Sequence, residues 1–156
     1  MMPNTKAVGV AYSDPEFESV TVTGAVAVTG AVTGASVSGG TVYASSELGY
    51  TADAQGTVTQ ATDKTTAVTL NKAAGRITMA ATALAGNTAV TFTMNNSFIS
   101  ANDSIVVNVS GGGTAAAYTT YISSMTAGSA VIALRNLTAG SLSEAVIINF
   151  ALIHCV

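Results

Sequence analysis

Two neighbouring residues near the end of this 156-residue chain, His154 and Cys155, are of the types that make a general base and a nucleophile. A base activates a thiol only by sharing a hydrogen bond with it, and adjacent residues on a strand point to opposite faces, so sequence adjacency works against that pairing. His154 is the only histidine and Cys155 the only cysteine, which leaves no second partner for a triad and no internal disulfide. The apolar setting AVIINFALIHCV reads Cys155 as a small buried hydrophobe. Acid pairs are the other source of chemistry. Asp14, Glu16 and Glu18 alternate, so an extended chain places all three on one side, able to meet a cation or a basic surface. The segment NNSFISANDS gathers Asn95, Asn96, Asn102 and Asp103 without the spacing of a calcium loop, and it reads as a turn. The remaining acids, Glu47, Asp53, Asp63 and Glu144, are far apart, whereas glycan cleavage needs a facing pair. GGGT at 111–114 has neither the lysine nor the helix of a phosphate loop. No catalytic, cofactor-binding or metal site is expected, and the protein is read as a non-enzyme.

The elements that would position such groups are strands. From residue 49 onward, short alternating segments recur every 10 to 14 residues between AAG, LAGN, GGG and TAG turns. Strands are predicted at 56–61, 66–71, 75–81, 88–94, 103–110, 116–124, 129–136 and 143–153. Regular spacing of this kind predicts an all-β, jelly-roll-like β-sandwich over 49–156. Parity selects Val68, Leu70, Ile77, Met79, Val90, Phe92, Met94, Ile105, Val107, Val109, Val131, Ile148 and Phe150 for its core. The last strand is apolar nearly throughout, which suggests burial on both faces, one of them against a neighbour.

Ahead of this domain, VTVTGAVAVTGAVTGASVSGG (20–40) has no charge and no side chain larger than valine. Val20, Val22, Val26, Val28 and Val32 share one parity, and Thr21, Thr23, Thr29 and Thr33 the other. One copy has too little apolar area to bury. Three copies wound about an axis would fill a narrow centre and satisfy one another's edges, so a trimeric β stem with its linker is predicted over 20–48, with those valines at the trimer interface. Residues 1–19 read as an extended arm. Val10, Tyr12 and Phe17 there could fill pockets on a larger body, beside Asp14, Glu16 and Glu18.

Composition agrees with burial in an assembly. Hydrophobic residues make up 49% of the chain and charged residues 8%, against roughly 25% charged in typical soluble domains. The net charge is −3, and Lys6, Lys64, Lys72, Arg76 and Arg135 are scattered, so neither nucleic acid nor a membrane is an expected partner. No apolar run is long enough for a membrane helix, and the N-terminus lacks the apolar block of a secretory signal, which suggests synthesis and folding in a cytosol.

The stretches GYTADAQGTVTQATDKTTAVTLNKAAGRITM (49–79), ALAGNTAVTFTMNNSFISANDSIVVNV (83–109) and LRNLTAGSLSEAVIINFALI (134–153) resemble the C-terminal domain of capsid decoration, cement or head-fibre proteins of tailed bacteriophages. The resemblance implies a homotrimer on the outside of a phage head, near three-fold positions, bound to major capsid protein subunits without any cofactor. Val10, Tyr12, Asp14, Glu16, Phe17 and Glu18 are then the expected capsid contacts. A receptor- or glycan-binding fibre module on the same particle is the alternative, with its loops at 95–104 and 111–117 on display.

Overall fold

A computed structural model describes residues 21–34 and 41–155. The chain divides into two units, Met1–Tyr43 and Ala44–Val156. In the first, residues 21–34 form no strand within a single chain, and every one of them is exposed. Val20 and the expected capsid contacts Val10, Tyr12, Asp14, Glu16, Phe17 and Glu18 lie outside the described residues.

The second unit holds a 3-10 turn, Ala52–Ala54, and eight strands: β1 (Gln55–Thr59), β2 (Val68–Thr69), β3 (Ala74–Thr78), β4 (Ala89–Asn95), β5 (Ser104–Gly111), β6 (Tyr118–Thr126), β7 (Ser129–Asn136) and β8 (Ile147–Ile153). Each overlaps a segment predicted from alternation, with bounds within two residues except that β3 ends three residues earlier and β8 begins four residues later than predicted; Val, Thr and Ile stiffen the chain toward extended backbone and Gly-rich turns interrupt it. No α-helix occurs among the described residues.

The strands build two four-stranded sheets, ordered β1-β3-β8-β5 and β2-β4-β7-β6. The chain crosses from one sheet to the other after each strand up to β6. Only β6 and β7 are consecutive neighbours in one sheet, joined by a tight turn in which Gly128 takes the left-handed φ of +82°. Because β1 and β3 are separated by a crossing to the opposite sheet, they run the same way, and β2 and β4 do likewise. A jelly roll uses antiparallel neighbours throughout; these two parallel edge pairs distinguish this β-sandwich from that topology.

The two most apolar strands, β7 and β8, take inner positions, where both edges are paired. Between the sheets lie Ile77, Met79, Phe92, Met94, Ile132, Leu134, Val146, Ile148, Phe150 and Leu152, all buried. Twelve of the thirteen core residues expected from parity are buried or pack against this cluster; Val131 is the exception. On β7 the inward set is Ala130, Ile132 and Leu134, so Val131 faces outward opposite Thr93. In SAVIALRN both parities are apolar, which hides the phase. β8 alternates, with Ile148, Phe150 and Leu152 inward and Ile147, Asn149 and Ala151 half-buried outward.

One close approach depends on missing side chains. Gly56 and Gly75 pair across β1 and β3, and a Cβ on Gly75 would stand 2.7 Å from the Gly56 carbonyl oxygen and 2.8 Å from Leu70. Glycine at both positions lets the edge strand settle over Leu70 and Phe150.

Candidate functional site

Three places gather polar or unpartnered groups. At the first, Asp103 begins where the loop after β4 turns into β5, and its side chain is sealed from solvent by its own partners. The Ser100 backbone N–H donates to its carboxylate at 2.8 Å, the Ser100 hydroxyl donates to the other oxygen, and the Cys155 N–H approaches at 3.4 Å. His154 Nδ1 lies 3.0 Å away and remains half-exposed. The Ser100 donors, then His154 and Cys155, hold the Asp103 carboxyl well below the usual carboxylate range.

Serine, aspartate and histidine are thus within reach of one another, but in the wrong order for nucleophile activation. A catalytic histidine stands between the acid and the hydroxyl. Here the carboxylate stands between His154 and Ser100 and receives both, so it ties the 96–103 loop to the C-terminal residues. The expectation that Cys155 is buried is corrected: β8 ends at Ile153, and Cys155 is exposed beyond the sheet.

A second cluster closes one end of the sandwich. Lys64 is buried, and its ammonium donates to the backbone carbonyls of Ala80 and, at 2.7 Å, Glu144. Gln60, also buried, donates to the Lys64 and Thr66 carbonyls and accepts from the Ala80 N–H. The Glu144 carboxylate accepts from Thr114 through both N–H and hydroxyl, at 3.0 and 2.8 Å. Burial pushes the Lys64 ammonium down, opposed by Glu144. Burial first, then the neighbouring Glu144 carboxylate, pushes the Tyr118 hydroxyl up to about 12, although that hydroxyl completes no hydrogen bond. Four backbone segments meet here. Nothing in their spacing along the chain announces it, since Lys64 and Glu144 are 80 residues apart.

The third place is surface. Val22, Val26, Val28 and Val32 are 50, 65, 55 and 67% exposed, so none of the described even-parity valines is buried. In the sandwich unit, Leu48 and Tyr50 flank β8 beside Ala151 and Ile153, lining an apolar hollow of about 540 Å³. The Tyr50 hydroxyl donates to the Leu152 carbonyl, which pins the segment entering the sandwich onto its last strand.

The chain matches no family model, no curated protein and no solved structure.

The described residues therefore offer surfaces and clasps. No group of three or more His, Cys, Asp or Glu side chains converges among them to hold a metal. No described helix is long and apolar enough to cross a membrane.

Proposed function

We propose that this protein is a homotrimeric cement or decoration protein that binds the outside of a bacteriophage capsid at three-fold positions and stabilises the shell. The observation that carries the reading is the exposed valine face of residues 21–34. Four valines of one parity, each at least half exposed, sit on a segment with no charge and no strand pairing among the described residues. Backbone and side chains of this kind gain burial and hydrogen-bond partners together when copies pair around an axis. The stem of residues 20–48 is then an intertwined β structure, with Val20, Val22, Val26, Val28 and Val32 toward the axis.

A trimer presents one patch three times to three equivalent capsid subunits. Weak single contacts become strong through effective concentration, and no chemical step is required. In this reading the arm supplies the contact through Val10, Tyr12 and Phe17, with Asp14, Glu16 and Glu18 set against basic capsid groups. The sandwich is the exposed body of the particle-bound trimer.

The test is mass in solution followed by particle binding. Sedimentation equilibrium is expected to give three times the 15.4 kDa chain mass. Mixed with intact heads that lack it, the protein is expected to sediment with them in many copies per particle and to raise the temperature at which they release DNA. A monomer in solution, or attachment in a few copies at the tail alone, would overturn the proposal.

A further inference from the structure

The outward face of the β1-β3-β8-β5 sheet carries a feature that neither the stem nor the arm explains. Register places Thr57, Arg76, Asn149 and Asn108 side by side, one from each strand, as a polar row across the whole sheet. The next outward row begins with Gln55 and Ala74. Between the two rows the backbones of Gly56, Gly75 and Phe150 form the floor of a trough of about 390 Å³. Ala74 keeps one wall low, so the trough is open enough to admit a ring.

The hydrogen-bonding state of the walls defines what fits. Asn149 Oδ1 accepts from the Ser110 hydroxyl at 2.9 Å, while its NH2 donates to no other group among the described residues and has both hydrogens to offer. Arg76 is exposed, and no acid stands within ion-pair reach of it among the described residues. Two donors, one of them a planar fork, therefore lie adjacent on neighbouring strands, a pattern complementary to a carboxylate. Gln55 is engaged the opposite way: one hydrogen of its NH2 goes to the Tyr50 carbonyl at 3.0 Å, while its oxygen accepts from no described residue and is free to take a hydroxyl proton. With the Thr57 hydroxyl, that end of the trough complements sugar hydroxyls. The outward residues of the four strands include no aromatic ring, so neutral sugars find no stacking platform and affinity must come from charge.

We infer that this trough is a binding site for a uronic-acid unit of an acidic polysaccharide, its carboxylate held by Arg76 and Asn149 and its hydroxyls by Gln55 and Thr57. An acidic peptide is the poorer fit. Its alternate side chains would need slots, whereas the floor is glycine backbone. The inference does not depend on the trimeric stem, since every residue involved belongs to one sandwich.

The experiment is titration of the full-length protein with trigalacturonate, followed through the backbone amide resonances of Gly56, Gly75 and Phe150. Saturable shifts at these amides are expected, weakened by added salt. Arg76→Gln is expected to weaken binding at least ten-fold, and Arg76→Lys to recover only part of the loss, because the fork is gone. Arg135→Gln, an exposed cation on the opposite sheet, is expected to bind as the parent does. Maltotriose, neutral and of similar size, is expected to produce no saturable shift. Absence of shifts with millimolar trigalacturonate overturns the inference, as does equal loss in Arg135→Gln. Equal binding of triglutamate at the same amides would show that the trough reads charge alone, and would overturn the assignment to a saccharide. The variants' unchanged melting temperatures separate a lost site from a lost fold, and sedimentation of the same samples keeps the result distinct from the trimer proposal.

Discussion

The Asp103 carboxylate lies 3.0 Å from His154 Nδ1 while it also accepts the Ser100 N–H and hydroxyl, so one buried acid fastens a loop to the end of the last strand. Its proton affinity is lowered on folding. For an acid so shifted, the unfolded chain binds the proton more readily, and stability falls as the proton is taken up. The contribution is complete above the ordinary aspartate value of about 3.9 and is lost as pH falls from there toward the depressed folded value. Asp103→Asn keeps the shape but turns one acceptor into a donor facing the Ser100 or Cys155 N–H. The variant is expected to melt several degrees below the parent at pH 7, with the gap narrowing on acidification. Thermal melts followed by circular dichroism from neutral to strongly acidic pH check this; coincident melts at pH 7 would remove the clasp from the account.

Lys64 makes a prediction of the same sign, stability rising with pH, at the alkaline end of the scale. Its ammonium is buried against two carbonyl oxygens, and burial lowers its proton affinity. In the window between the depressed folded value and the ordinary lysine value of about 10.4, the unfolded chain binds more protons, so stability rises with pH. Tyr118, raised to about 12, reverses the trend above the ordinary tyrosine value of about 10, because only the unfolded chain then loses that proton. The Lys64 rise is therefore to be sought below about pH 10. Lys64→Met is expected to abolish it and to cost about 2 kcal/mol at neutral pH by leaving the Ala80 and Glu144 carbonyls without their donor. Urea titrations at neutral and mildly alkaline pH measure both effects.

The outward phase of Val131 is tested by comparing it with its neighbour. Ile132 is fully buried opposite Phe92, whereas Val131 stands on the outer face. Ile132→Ala is expected to cost about 2–5 kcal/mol, since it removes buried methyls and leaves a cavity. Val131→Ala should cost less than about 1 kcal/mol. Urea midpoints with unchanged slopes distinguish the two; equal losses would mean that β7 is shifted by one residue.

That comparison also marks where the sequence was readable. Most strands were legible because hydroxyl and apolar residues alternate between Gly-rich turns, a local signal, and β7 and β8 because short apolar runs lie between turn residues. In TAVTFTM alternation identifies the inward face as well, since one parity is Thr. In SAVIALRN it does not, because Val131, Ile132 and Leu134 are equally apolar and only pairing with β4 and β6 decides. Topology was less legible still: the parallel pairing of β1 with β3 depends on where β2 goes, which no spacing of residues encodes. The polar clusters were hidden for the same reason. Asp103 and His154 are 51 positions apart, and a cation such as Arg76 gains a meaning only when register sets Asn149 beside it.

The exposed valines carry the last prediction. Val26 and Val28 share the parity that an extended chain turns to one face, and both are more than half exposed. If three copies bury that face together, a carboxylate introduced there must be taken out of water beside its symmetry mates, and like charges at close range disfavour assembly strongly. In a lone chain the same substitution stays solvated and is nearly neutral. The double variant Val26→Asp, Val28→Asp is therefore expected to sediment as a single chain and to lose particle binding, while the sandwich keeps its melting temperature because no core residue is touched. Asparagine at the same positions, polar but uncharged, should weaken the trimer less, and acidification that neutralises the aspartates should restore part of it. A parent protein and a double variant of equal sedimenting mass would show that these valines face no sister chain, and the clamping mechanism would lose its physical basis.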